Sequence, residues 1–190
     1  MTAKHVRVVG DTLLPLNAVI TLNGNPVDLS AYSSVKFQME GDQNGTSEIA
    51  ETASGVTIHP TQTFTASTTT DLLTCNAHGV KEGDQIVVAN SGGALPTGLA
   101  AATRYYAVQV TPNSFALATL PSGSPIDITG AGTGTNTFYI VGSVQYSFSS
   151  GGVDTVGLYR GWFTIYQSTA VATFPDDELG IPIEIKALGN

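Results

Sequence analysis

Leu158-Tyr159-Arg160-Gly161-Trp162-Phe163-Thr164-Ile165-Tyr166 is the stretch on which the fold turns. Successive side chains of a β-strand point to opposite faces. Tyr159, Phe163 and Ile165 therefore share one face, and Trp162 and Tyr166 share the other. A half-buried strand alternates apolar with polar. A strand apolar on both faces is central to its sheet or is covered by a partner.

The flanking chain extends this pattern. Val35, Phe37 and Met39 alternate with Lys36, Gln38 and Glu40, and Val144, Tyr146 and Phe148 alternate with Gln145 and Ser147. Ile181, Ile183 and Ile185 alternate with Pro182, Glu184 and Lys186. Pro182 has no N–H for a ladder, so that strand is expected at an edge or to begin there. No stretch of eleven or more residues carries the i, i+3, i+4, i+7 apolar spacing of a helix. One helical turn is conceivable at Leu95–Ala102, against Pro96 and Gly98. Turn chemistry punctuates the strands: Asn23-Gly24-Asn25-Pro26 reads as a hairpin, and Gly41-Asp42-Gln43-Asn44-Gly45 and Ser149-Ser150-Gly151-Gly152 as loops. Thr, Val, Ser, Gly and aromatic residues prevail over Lys, Glu and Arg, which favours strands and turns. The expectation is an all-β chain.

The texture changes in the middle. Residues 62–138 are rich in Thr, Ala and Gly, with strand candidates at 63–66, 70–75, 85–89, 104–110 and 113–118. Ala131-Gly132-Thr133-Gly134-Thr135 reads as a flexible return. The chain is thus expected as one discontinuous β-sandwich, 1–61 plus 139–190, with a β-module spliced in at 62–138, since insertion tolerates loops whose ends lie together.

Charge is sparse: 15 acidic and 7 basic residues, a net of −8 spread evenly along the chain. Lys and Arg occur singly, so no basic stripe for nucleic acid is present. The apolar runs are strand-length, far short of the ~20 residues of a membrane helix, and residues 1–10 lack the apolar core of a secretory signal. At 190 residues the chain can bury a core without staples. Its lone Cys75 reads as a small buried hydrophobe, because no His or orienting group accompanies it in a known pattern.

Three further patterns are weighed for chemistry. His78-Gly79-Val80-Lys81-Glu82-Gly83-Asp84 invites a metal reading, but His5, His59 and His78 are far apart in the chain and lack ligand spacing, so a turn capped by Asp is expected. Asp176-Asp177-Glu178 lacks the spacing of a calcium loop and reads as solvated. The glycines at 130–134 do not follow a strand and open a helix, so they imply no phosphate loop. No catalytic residue, cofactor or metal site is nominated.

Asp154-Thr155-Val156-Gly157-Leu158-Tyr159 is the most specific local pattern. It resembles the tyrosine corner of immunoglobulin-like sandwiches, where a Tyr at the start of a late strand bonds back to upstream backbone. Tyr159, Gly157 and Asp154 would form that corner; Gly161 stands where an antibody-type domain has Cys. The fold expected is an immunoglobulin-like β-sandwich with a small inserted β-barrel-like domain.

Two wider resemblances follow. Val9-Gly10-Asp11-Thr12, Asn23-Gly24-Asn25-Pro26-Val27-Asp28-Leu29-Ser30 and Val35-Lys36-Phe37-Gln38-Met39, with Gly142-Ser143-Val144-Gln145-Tyr146, Gly157-Leu158-Tyr159 and Thr173-Phe174-Pro175, are similar to the N-terminal domain of phage baseplate upper proteins. Leu73-Thr74-Cys75, His78-Gly79-Val80, Gly83-Asp84, Tyr105-Tyr106-Ala107-Val108 and Asn113-Ser114-Phe115-Ala116-Leu117 resemble a β-module that recurs in phage tail proteins and is akin to a barrel of ubiquitin-activating enzymes. Fold alone carries no activity.

The resemblances imply a structural virion protein of a tailed phage, assembled in the host cytoplasm: an adaptor or accessory subunit of tail, neck or baseplate. Its partners would be other virion proteins, in a homo-oligomer or symmetric array, with no nucleic acid or membrane. The alternatives are a capsid decoration protein and a carbohydrate-binding module for host glycan, the latter suggested by Tyr105, Tyr106 and Trp162. Docking is expected at the terminal segments and the Trp162 and Tyr166 face. Outer contacts are expected at loops Pro96–Arg104 and Pro112–Phe115, hence Arg104, Tyr105, Tyr106 and Phe115.

Overall fold

The computed structural model describes residues 5–42, 47–149, 151, 153–167, 170–175 and 180–187. The acidic run 176–178 lies outside them. The protein is all-β, 49% strand and 2% helix. Seventeen strands are described. The chain divides into two units, 1–58 with 142–190 and 59–141.

The first unit opens with β1 (His5–Val8), β2 (Leu16–Val19), β3 (Thr21–Leu22), β4 (Asn25–Pro26), β5 (Ser34–Gly41), β6 (Ser47–Thr52) and β7 (Val56–Ile58). The second holds β8 (Gln62–Ala66), β9 (Leu73–Thr74), β10 (Gln85–Ser91), β11 (Arg104–Val108), β12 (Ser114–Ala118) and β13 (Thr135–Ile140). The first unit then resumes with β14 (Ser143–Tyr146), β15 (Gly157–Gln167), β16 (Ala170–Phe174) and β17 (Ile181–Lys186).

In the first unit one sheet runs β1-β17-β15-β5-β6, with β16 beside the far half of β15, and another runs β2-β14-β7. β15, which contains Leu158–Tyr166, has three partners: β5 along one edge, β17 and then β16 along the other. Its inward residues Tyr159, Phe163 and Ile165 join Val35, Phe37, Met39, Ile181, Ile183 and Ile185 in one core with Leu16, Val144 and Tyr146 of the second sheet. The sheets meet in an aromatic cluster, with Phe37 stacked on Tyr146 at 4.1 Å and 5.1 Å from Phe163. Gly161 makes room for it, since a Cβ there would lie 2.8 Å from the Phe37 ring.

The second unit is a closed ring, β10-β11-β12-β9-β8-β13. Phe64, Leu73, Ile86, Val88, Phe115, Leu117 and Phe138 fill it. Closure leaves no unpaired sheet edge.

Several expectations need correction. The division falls after Ile58 and before Gly142 rather than at 61 and 139. A sixth barrel strand, β13, continues to Ile140, and a border at 139 would cut it. At Gly142, φ is +78° and a Cβ would lie 2.6 Å from the Ile20 carbonyl, so the turn there needs glycine. The strand with Pro182 is not an edge, because β1 and β15 flank it, but it starts at Ile181, beside the proline, as the other alternative had it. Pro182 is tolerated because the parallel pairing with β1 begins only at Ile183. The return at 131–135 is tied down: Thr133 N–H donates to the Ala94 carbonyl at 2.8 Å and Asn90 Nδ2 to the Thr133 carbonyl at 2.7 Å. Residues 95–102 form turns rather than a helical turn. A 3-10 turn stands at Leu29–Ala31, capped by the Asp28 side chain on Ser30 N–H. The Asn23-Gly24 hairpin takes positive φ at both central residues, 51° and 78°, as a type I′ turn demands.

Candidate functional site

The corner at the start of β15 is built from its backbone outward. Tyr159 Oη donates to the Thr155 carbonyl at 3.0 Å, four residues upstream. The ring can fold back this far because residue 157 is glycine: a Cβ there would stand 3.1–3.2 Å from the ring and hydroxyl. Asp154 Oδ1 accepts from Thr155 Oγ1 at 3.1 Å. Burial, then the charges of Glu48 and Asp154, raise the Tyr159 phenol above its ordinary pKa, so it remains a donor.

The outer face of β15 carries Trp162 and Tyr166, both half-buried. The Trp162 indole lies against Gly180, where a Cβ would come within 2.7 Å of it. Tyr166 Oη donates to Glu51 Oε1, Lys36 Nζ donates to Glu51 Oε2 at 3.2 Å, and the same ammonium sits 4.5 Å from the Tyr166 ring centroid. The Tyr166 bond holds the Glu51 carboxyl below its ordinary pKa; burial opposes it, and Lys36 and Thr164 add to the lowering. The Glu51 bond chiefly raises that of Tyr166. Arg160 pairs with Asp42 on this face. The surface offers aromatic flanks among charges that already satisfy one another.

The barrel corrects the outer-contact expectation. Tyr105 is 3% exposed and Phe115 fully buried, so neither forms a surface contact or a sugar platform. Alternation on β11 and β12 aims both inward; Tyr105 Oη accepts from Ala100 N–H at 2.9 Å. Arg104 is exposed and Tyr106 half-buried, so these two remain on the surface. Lys81 N–H donates to Asp84 Oδ2 at 2.8 Å, closing the turn after His78. Burial raises the Asp84 carboxyl's pKa, and the Lys81 N–H opposes it. Cys75 Sγ contacts Gln62 Oε1 at 3.3 Å, and burial raises the thiol's pKa, away from the nucleophilic thiolate. Among the described residues no three His, Cys, Asp or Glu side chains converge as a metal site.

Two features were missed by sequence reasoning. Arg7 on β1 is 4% exposed; among the described residues its Nε and Nη1 have no hydrogen-bond partner, the Asp11 carboxylate acts on its charge, and its guanidinium lies 4.2 Å over the Phe148 ring. The second is a cavity of about 270 Å³ in the first unit, lined by His5, Asn17, Val19, Phe163, Phe174 and Ile181, among others. The signal was present in His5-Val6-Arg7, where period two puts two basic side chains on one face of a strand. In the barrel, a wider hollow of about 480 Å³ is lined by Ala77–Val80 and Val110–Pro112.

Compared with protein-family models, curated proteins and solved structures, the chain matches none.

Proposed function

We propose that the chain is a structural component of a tailed-phage virion, an adaptor or accessory subunit of tail, neck or baseplate that acts by protein–protein docking and performs no catalysis. The observation that carries this reading is the splice. The first unit leaves at Ile58 and resumes at Gly142, and Ile58 pairs with Val144. In the barrel, Gln62 pairs with Phe138. Each unit therefore closes on itself across the junction, which is the build of a carrier with a second module inserted in its chain. We read the first unit as an immunoglobulin-like sandwich, with the Tyr159–Thr155 bond in favour. The second we read as the β-module of phage tail proteins, with the six-strand ring in favour. Repetition in a symmetric array would multiply weak contacts.

Fractionation of virions into tailless heads, necks and tails, followed by blotting, tests the proposal. Tail or neck fractions are expected to carry the protein. Its presence on tailless heads alone would replace the reading with capsid decoration, and its absence from every fraction would end it.

A further inference from the structure

β1 stands at the end of its sheet. It pairs with β17 alone, over four residues and in parallel, whereas β17, β15 and β5 each have strands on both edges. A parallel ladder is slightly less stable per residue than an antiparallel one. The side chains of β1 add little to that hold. Val6 is 50% exposed, His5 and Val8 are half-buried, and the one buried member is Arg7. The neighbouring β17 buries three isoleucines, Ile181, Ile183 and Ile185, in the core.

The anchor of β1 is therefore a cation, and a poorly solvated one. Arg7 faces the Phe148 ring and feels the Asp11 carboxylate, but its Nε and Nη1 have no hydrogen-bond acceptor among the described residues. Taking a charge out of water is costly unless its hydrogen bonds are replaced. Lifting β1 from the sheet returns those nitrogens to water, which offsets part of the ladder that is lost. Two more bonds go with it, from Val9 N–H to the Lys186 carbonyl at 2.9 Å and from Gly10 N–H to the Val153 carbonyl at 2.8 Å. The chain that follows suits a hinge. Gly10 has φ +80° and open space where a Cβ would stand, and Leu13 and Leu14 are 89% and 64% exposed.

A vacated seat beside β17 has one occupant of known fit: His5–Val8 itself, in the register His5↔Ile183 to Val8↔Lys186. A second copy of the chain carries the same strand. We propose that β1 is an exchangeable strand, which leaves its own β17 and is replaced there by the β1 of a second copy. Reciprocal exchange restores every bond of the closed chain in both copies, which is why swapping an identical element is a low-cost route to a dimer. The two connecting segments then run side by side, and each brings the other's Leu13 and Leu14 an apolar neighbour. The exchange is a property of the first unit and does not depend on the virion reading.

The test is a disulfide cross-link between two versions of the full chain, with Cys75→Ser in both to remove the native thiol. Val6 and Glu184 are partners across the β1–β17 ladder. One version carries Val6→Cys and the other Glu184→Cys, and equimolar mixtures are incubated at stepped concentration and then oxidised. A covalent heterodimer is expected, more of it as concentration rises. It should form about tenfold faster or better than with a version carrying Leu120→Cys, an exposed position on the barrel. Hydrogen exchange of the parent chain gives an independent measurement. The β1 amides are expected to be about a hundredfold less protected than those of β5 and β15. Arg7→Met keeps an unbranched side chain without the charge, and should raise β1 protection about tenfold while slowing the heterodimer. No heterodimer at millimolar chain, a heterodimer no faster than the Leu120→Cys control, or β1 protection equal to that of β15 would overturn the proposal. So would an Arg7→Met chain that folds with its β1 less protected than in the parent.

Discussion

At the scale of single residues, the corner and the titrating groups make measurable statements. Tyr159→Phe removes one hydrogen bond and leaves the Thr155 carbonyl without that donor. The expected loss is about 1 kcal/mol, read as a lower denaturation midpoint of the first unit with unchanged slope. The acid side of the stability curve follows from two shifts. The His5 pKa is lowered in the fold, so the unfolded chain takes up the proton first. Stability is then full above the ordinary value of 6.5 and declines as pH falls from there toward the lowered folded value. The Glu51 pKa is also lowered, so its contribution is present above 4.5 and is lost as pH falls below that. Urea titrations at stepped pH should show the His5→Gln variant flat where the parent first declines, and the Glu51→Gln variant flatter only in the more acid window. Coincident curves for parent and variants would refute the assignment. The corner was legible in sequence because Gly157 and Tyr159 are close neighbours. The Glu51 bond was not, because Tyr166 and Glu51 are separated by 115 positions.

At the scale of elements, β15 is the strand on which the first unit is organised. Its apolar residues on both faces left it central or covered by a partner, and it has strands along both edges. Gly161 marks where Phe37 of β5 crosses it. Gly161→Ala places a methyl carbon 2.8 Å from that ring and 3.1 Å from Ile183 Cδ1. The expected cost is about 1–3 kcal/mol, measured by chemical denaturation with near-ultraviolet dichroism reporting the aromatic cluster. The neighbouring β17 shows how far strand-level reading reaches. Pro182 was expected to mark an edge or the start of the strand, since proline removes a donor, and β17 does begin one residue before it, at Ile181. It stands beside a central strand because only residues from Ile183 onward face β1. Local chemistry gives the donor count of a residue, and the neighbour's starting point decides whether the missing donor matters.

At the scale of the whole molecule, the splice is the testable feature. Deleting residues 59–141 would leave Gly142-Ser143 as a two-residue loop between Ile58 and Val144, which already pair. Glycine followed by serine suits a two-residue hairpin turn. The shortened chain is therefore expected to fold with one cooperative transition, and the excised 59–141 to fold as its own β-unit. Far-ultraviolet dichroism and amide dispersion check both; loss of structure in either piece would show that the two units need each other. The location of the insert was legible to within three residues, because the Thr-Ala-Gly texture of the barrel differs from that of the flanking strands. Its last strand was missed because Thr135–Ile140 begins inside a run that reads as a flexible return. The error has a physical origin: what ties Thr133 down are Asn90 and Ala94, some forty residues earlier.

The amino-acid sequence by itself determined the class of this protein. Period-two alternation, β-branched and aromatic residues and glycine turns act over a few neighbours, and such local forces make strands and forbid long helices. It also determined the two-part plan and the tyrosine corner, whose groups are four residues apart. Only the tertiary structure decided which faces meet. It turned Phe115 and Tyr105 from candidate contacts into barrel core, and buried Arg7 over the Phe148 ring with no hydrogen-bond partner for its Nε and Nη1 among the described residues. Exposure and pairing depend on residues distant in the chain, and one strand's pattern does not specify which neighbour will cover it.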